Sequence, residues 1–294
     1  MATALLTCVY PGAEGFVPEF IASLKGQSRK DFTLVVLNDD VAGCDMLFKN
    51  STITTQIIVV EGTPAKIRKA GIKWISRNGF DLVIFADIDD RFKANRVERS
   101  ISLLEDSILV FNELVLFGAG IIGEEPMYAD RFSEGERIRV DSLVTSNCLG
   151  LSNTAAHVNQ IFEAIQNTSD DVVAFDWALF TRVLTAGETA LFTSKTCTYY
   201  RQHGANLAVT RTLTDQDIRR GVTVKARHYS AVSDLGHNSK TLPLASPNLT
   251  PRLMPNPTLR RFTTQPSEPR PQQNLYGGKP YAQQRSLIYE GRKI

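Results

Sequence analysis

The sequence predicts an α/β fold built on a mostly parallel, Rossmann-like sheet with helices on both faces, and three observations carry that expectation. Apolar, β-rich runs alternate with segments of helical spacing up to Asp87, the order expected of βαβ units. Two of the runs stop on acids, at Asn38-Asp39-Asp40 and at Asp87-Ile88-Asp89-Asp90. The run that feeds the second, LVIFADIDDRF from Leu82 to Phe92, shows no polar alternation before its acids, as a strand covered on both faces would. Ligands of open α/β sheets collect beyond the carboxyl ends of the strands, and Asp87, Asp89 and Asp90 fall there.

Ala4 to Tyr10 reads as a first strand ended by Pro11-Gly12, and Phe16, Phe20, Ile21 and Leu24 then recur at helical spacing up to Gly26. Phe32 to Leu37 is a second buried strand and Thr52 to Val60 a third. Thr63-Pro64 gives a cap and first turn for a helix with Ile67, Gly71, Trp74 and Ile75 on one face, closed by Gly79. After the acids, Asn95 and Glu98 have the spacing of a capping box ahead of Val97, Ile101 and Leu104. Ile108 to Phe117 returns as a strand. The polar stretch from Gly118 to Glu136 interrupts the pattern and is expected to be a mobile loop. Beyond it Cys148 to Leu151 reads as a short strand, Asn153 as the cap of a helix with Ala155, Val158 and Ile161, and Phe175 to Ala186 as another helix. Thr189 to Phe192 and Thr196 to Tyr200 are β-rich, Asp215 to Leu235 helical. From Lys240 nine prolines exclude regular elements.

At 294 residues and 43% hydrophobic the chain can bury a substantial core. A net charge of +2 argues for no nucleic-acid partner, and the lysines and arginines of the last part are read as solvated. Cys8, Cys44, Cys148 and Cys197 are too dispersed for a zinc site or a disulfide framework, which fits reduced thiols in a cytoplasmic protein. No leader is read at the amino terminus, and no stretch approaches eighteen apolar residues, so no transmembrane segment is expected. Three acids as close as Asp87, Asp89 and Asp90 repel one another unless a cation or hydrogen-bond donors stand between them. Their hard oxygens suit Mg²⁺ or Mn²⁺, and a solvated turn with an aspartate helix cap answers the same pattern.

Four motifs in order give the chain a resemblance from about Ala4 to about Leu207. They are the opening ALLTCVYPGAEGFVPEFIASLKGQSRKDFTLVVLNDD, then IRKAGIKWI with LVIFADIDD, then AFDWALFTRVL, then YYRQHGANLA. In this order they resemble the GT-A fold glycosyltransferases of family 2. The resemblance implies a glycosyltransferase domain over residues 1–239, divided into a nucleotide-sugar-binding part, 1–123, and a smaller mixed acceptor-side part, 124–239, followed by a proline-rich extension, 240–294. It implies transfer from a nucleotide diphosphate sugar, UDP-linked first of all, to a glycan, lipid-linked or protein acceptor, with inversion at the anomeric carbon.

Carried over residue by residue, the nucleotide-sugar-binding positions are Tyr10, Asp39, Arg68, Asp87, Asp89 and Arg201. Asp39 would accept from the base ring and Arg68 would contact the nucleotide near its base and phosphates. Asp89, Asp90 and His203 would hold Mn²⁺ or Mg²⁺, with Tyr200 and Arg201 supporting His203. Asp176 would be the general base that takes the acceptor's proton. Departures from the family pattern touch two of these: Asn38-Asp39-Asp40 replaces the commoner acid-acid-glycine run, and Asp176 stands alone after Phe175 where an acidic pair is usual. Two other enzyme classes fit the sequence less well. A nucleotidyltransferase normally opens with a glycine-rich phosphate loop and a basic residue, which Pro11-Gly12-Ala13-Glu14-Gly15 lacks, and an oxidoreductase needs G-x-G-x-x-G, which is absent. A catalytically silent module that binds sugars or a partner enzyme remains open alongside the transferase.

Overall fold

The computed structural model describes residues 1–118, 125–202 and 215–237, with the backbone alone at 125, 216, 217, 236 and 237. In chain order β1 (Thr3–Val9) leads through a short 3-10 turn into α1 (Val17–Lys25), β2 (Thr33–Asn38), α2 (Cys44–Phe48), β3 (Thr55–Val59), α3 (Pro64–Arg77), β4 (Leu82–Phe85), β5 (Arg91–Phe92) and α4 (Arg96–Leu103). There follow β6 (Leu109–Gly118), β7 (Glu125–Pro126), β8 (Arg137–Ile138), β9 (Thr154–His157), α5 (Val158–Gln166), α6 (Phe175–Thr185), β10 (Ala190–Gln202) and α7 (Asp215–Ala231). The strands form one sheet in the order β3-β2-β1-β4-β9-β6-β10-β5, with β7 against β6 and β8 against β10. Strands β3, β2, β1 and β4 are parallel neighbours, as are β6 and β10, and β9 runs antiparallel between β4 and β6.

Strand alternation sorts the core into two layers. Leu6, Leu37 and Phe85 face α3, α5 and α6 on one side, whereas Leu5, Val36 and Ile84 face α1, α2 and α4 on the other. With both faces covered, the strands need to be apolar throughout, which is the run the sequence shows. At α3, Thr63 caps the first turn by accepting from the Lys66 N–H at 3.2 Å. Gly71 then lets the helix lie close on β2, since a Cβ there would meet Leu37 Cδ1 at 2.6 Å. At the end of β6, Gly118 has φ +105° and its missing Cβ would meet the Gln202 carbonyl at 2.6 Å. A side chain would therefore part the β6 and β10 backbones.

Several expectations are corrected. Cys148 to Leu151 is not a strand, and Asn153 caps no helix: its side chain accepts from Gly150 N–H at 2.8 Å and donates to the Asn112 and Cys148 carbonyls. The strand is Thr154–His157, and helical phase starts only at Val158. Ala155 and Ala156 pair with β4 on one side and β6 on the other. The capping box at Asn95 fails, because Asn95 Nδ2 donates to the Lys195 carbonyl instead and no side-chain cap bond forms. The two β-rich runs after Thr189 are one strand with a register shift between Thr193 and Cys197. From 125 to 136 the expected loop is packed and bonded, with Tyr128 and Phe132 buried against Phe111 and Phe192. Residues 119–124, 203–214 and 238–294, with His203 and the proline-rich tail, lie outside the described residues.

Helix α7 closes over α6. His228 stacks on Trp177 with ring centroids 3.8 Å apart and planes 8° from parallel, and Arg182 of α6 pairs with Asp234 at 2.8 Å. Burial pushes the His228 imidazole down to about 3. No disulfide joins the four cysteines, and among the described residues no helix is long and apolar enough to cross a membrane.

Candidate functional site

Strand order reverses at β1, which pairs with β2 on one side and β4 on the other, so the carboxyl ends of these strands border the crevice where such sheets take ligands. Three of the expected residues arrive there together. Tyr10 follows β1, Asp39 follows β2 with its N–H on the Val9 carbonyl at 2.9 Å, and Asp87 follows β4, whose Ala86 N–H donates to the Leu6 carbonyl at 3.0 Å. All three side chains are half-buried. Asp39 is raised above the usual carboxylate range, first by burial and then by Asp40 and Glu61.

The turn from Asp87 to Asp90 is built from within. Asp90 N–H bonds the Asp87 carbonyl at 3.2 Å. Asp90 is 1% exposed and Asp89 is fully buried. Asp90 Oδ2 accepts from the Ser152 hydroxyl, and Oδ1 accepts from the Arg201 N–H at 2.9 Å. The Arg201 guanidinium donates to the Asp89 carbonyl at 2.7 Å through Nε and to Glu19 through Nη2. It lies 4.6 Å from the Phe117 ring and 5.2 Å from the Phe16 ring. Arg91, the next residue of the turn, also reaches Glu19, at 3.4 Å.

Beneath the turn sits a residue that sequence reasoning passed over. Arg96 is 1% exposed, donates to the Phe85 carbonyl at 2.7 Å and to Asn112 Oδ1 at 3.1 Å, and lies 4.5 Å above the Phe92 ring. Burial pulls its pKa down to about 9, while Asp90 and then Asp87 oppose the fall. The mutual repulsion of the acids is thus offset in part by the chain's own cation and donors. A signal existed: Arg96 shares the inner phase of its helix with Val97, Ser100 and Ile101, all buried.

The remaining expected residues lie on α3, α6 and β10. Arg68 is half-buried on α3 and enters no hydrogen bond or ion pair among the described residues. Lys69 beside it fastens the loop that leads into α6, through the Thr168 carbonyl at 2.5 Å and Asp170 at 2.6 Å. Asp176 lies in the first turn of α6, half-buried, with Oδ1 accepting the Trp177 N–H at 2.9 Å; the cap position belongs to Ala174. Phe180, one turn on and on the same helix face, packs edge-to-face on Phe85, two residues ahead of Asp87. Asp176 therefore lies toward the carboxyl-end rim. Tyr200 does not, being buried in the core on the α6 side of the sheet. Among the described residues no three His, Cys, Asp or Glu side chains are grouped to hold a metal ion.

No protein-family model matches the chain, and no curated protein matches it in sequence. Solved structures match its fold. The residues 1–349 portion of S. aureus TarS in complex with UDP-GlcNAc superposes with a TM-score of 0.56 at 14% identity, over 80% of this chain and 71% of that one. The same portion in complex with UDP gives 0.55 at 15% identity, over 78% and 65%. A further S. aureus TarS structure gives 0.53 at 15% identity, over 78% of this chain and 44% of that one. The likeness is one of fold, the mostly parallel α/β sheet of GT-A type.

Proposed function

We propose that this chain is a glycosyltransferase that moves a sugar from a nucleotide diphosphate sugar, UDP-linked first of all, to an acceptor hydroxyl. The observation that carries the reading is the meeting of Tyr10, Asp39 and Asp87 at adjacent strand ends, beside an internally locked acid turn, on a fold shared with a protein that holds UDP-GlcNAc. Asp39, raised by burial, is suited to accept an N–H from a base ring, which would compensate its desolvation. Arg68 offers an uncommitted guanidinium for phosphate oxygens.

Asp176 takes the proton from the acceptor hydroxyl as that oxygen attacks the anomeric carbon. The bond from that carbon to the diphosphate breaks, the nucleoside diphosphate leaves with the electron pair, and a single displacement inverts the configuration. The Trp177 N–H that Asp176 accepts fixes its aim. The chemistry of the donor set fits Mn²⁺ or Mg²⁺, which needs only one or two protein carboxylates alongside the phosphates. Asp87 and Asp89 are the positions proposed to hold it, His203 standing outside the described residues. Asp90, whose two oxygens already serve Ser152 and Arg201, is assigned the task of holding the turn rather than the ion. When bound, such an ion neutralises charge on the departing diphosphate.

Titration calorimetry with UDP, with and without Mn²⁺, tests the donor half of the proposal, and product analysis by NMR tests the transfer half. Wild-type protein should bind UDP more tightly with Mn²⁺, and Arg68→Ala should weaken that binding. Asp176→Asn should keep UDP binding and lose about 10²–10⁴-fold in transfer rate. Failure of the wild type to bind UDP under any of these conditions would sink the reading, and a retained anomeric configuration would exclude single displacement.

A further inference from the structure

On the other half of the sheet lies a cleft of about 590 Å³ that the donor-site reading leaves unused. Glu113 and Val115 of β6 and Cys197 and Tyr199 of β10 line it, with Lys93 at one end and Ala129 on the rim. None of Asp39, Arg68, Asp87, Asp89, Asp90 or Asp176 borders it. Its volume falls within the range of about 300–1,000 Å³ usual for small-molecule sites.

Glu113 sets its chemistry. The side chain is 5% exposed, and Oε1 accepts all three of its hydrogen bonds, from the N–H groups of Leu114 at 3.0 Å, Met127 at 3.0 Å and Tyr128 at 2.8 Å. No hydrogen bond among the described residues reaches Oε2. Burial raises the carboxyl above the usual range in spite of those three donors. Glu134, the cleft's other acid, is committed: it accepts from Arg99 at 3.2 Å, from the Ser194 N–H at 2.7 Å and from the Thr193 and Ser194 hydroxyls at 3.1 Å. An acceptor oxygen of a buried residue is thus available at a cleft that is also lined by Lys93, whose ammonium otherwise reaches only the Lys195 carbonyl at 3.5 Å among the described residues, and by Val115, Pro126 and Tyr199.

That mixture selects among ligands. An anion would meet Glu113 and a simple cation would meet Lys93. A neutral polyhydroxylated molecule satisfies both, because its hydroxyls donate to Glu113 Oε2 and accept from Lys93 while its C–H faces lie on the apolar walls. We propose that this cleft is a second saccharide site, separate from the nucleotide-sugar site, that holds a neutral sugar unit of the acceptor through Glu113. The identification with an acceptor rests on the transferase reading. The connection between the two sites is short: Tyr199 lines the cleft and pairs with Arg91, the residue after Asp90, and Arg201, two residues further along β10, bonds Asp90 itself.

Saturation-transfer NMR with methyl β-glucoside, methyl β-N-acetylglucosaminide and cellobiose tests the site, with UDP calorimetry run on the same samples. The wild type should bind at least one of the three at millimolar concentration. Glu113→Gln keeps an oxygen for the three N–H donors but removes the charged acceptor, and should weaken saccharide binding about ten-fold. Ala129→Trp, on the exposed rim, should block the cleft and abolish binding without touching the core, so it decides the matter should Glu113→Gln fold poorly. UDP binding should be the same in all three proteins. Saccharide binding lost in the variants with UDP binding kept supports the cleft. Binding of a saccharide without any binding of UDP also supports the cleft while removing the transferase reading. Binding of none of the three sugars, or binding that survives Ala129→Trp, overturns the proposal.

Discussion

The turn after β4 and the cleft across β6 and β10 each bury a carboxylate, and the two are treated in opposite ways. Asp90 has both oxygens taken by partners from distant parts of the chain. Glu113 has three donors crowded on one oxygen and none on the other. The difference teaches how to divide buried acids into supports and sites. A fully satisfied carboxylate fixes the backbone around it, whereas a half-satisfied one keeps a desolvated acceptor in reserve for something that arrives from outside.

The sharpest way to break this contrast is to remove Asp90. Asp90→Ala strands the Ser152 hydroxyl and the Arg201 N–H and leaves Arg96 without its main counter-charge. At about 1–3 kcal/mol for each stranded group, urea denaturation should read a loss of roughly 3 kcal/mol or more. A loss under about 1 kcal/mol would show that Asp90 is no support.

A third buried group gives the contrast a control. His228 is 2% exposed, stacks on Trp177 and, among the described residues, leaves Nδ1 without a hydrogen-bond partner. Its folded pKa of about 3 lies below the unfolded value of 6.5, so between these the unfolded chain binds more protons and stability falls as pH falls. At pH 5 this amounts to roughly 2 kcal/mol. His228→Phe keeps the stack and should flatten that part of the pH profile in thermal melts. An unchanged slope would assign the acid sensitivity to other groups.

The smallest effect belongs to Glu113. Glu113→Gln should cost under about 1 kcal/mol at neutral pH, since an amide oxygen accepts the same three N–H groups. The sign of its pH dependence is diagnostic. An acid raised in the folded state gives stability that is present below its unfolded pKa and is lost as pH rises through the folded one. The cost of Glu113→Gln should therefore shrink as pH rises, and a cost that grows instead would mean that the ionised carboxylate is fully satisfied.

How far the sequence speaks for these sites depends on the range of the interactions involved. The acid turn was legible because the strand before it and the carboxylates share one local run, Leu82 to Asp90. Asp39 followed from the same logic of strand ends, and Tyr10 came with the family resemblance. Ser152 as a partner of Asp90 was not legible, because the pair is set by how β9 inserts between β4 and β6. The run Thr154-Ala155-Ala156-His157 carries too weak a β signal to announce that strand. Helix α2 was missed for its length, five residues with a left-handed Gly43 ahead of it. The cleft could not be read at all, since Glu113 looks like a lone charge in an apolar run until β7 brings the Met127 and Tyr128 N–H groups to it.

The partners of Asp90 also set a timetable. Ser152 lies 62 residues after Asp90 in the chain and Arg201 lies 111 after it, and β10 must run the length of β6 before the Arg201 N–H is in place. During synthesis at about 5–20 residues per second, Asp90 therefore waits several seconds at least for its second partner to be made. Contacts of such separation also close slowly once the chain is complete. The parallel block of β1, β2, β3 and β4 can assemble while the ribosome is still working on the rest, but its acid turn is finished only when the last strand docks. Completion of the turn thus comes late in folding, and a nascent chain released short of Arg201 carries these strands without the bond that closes the turn.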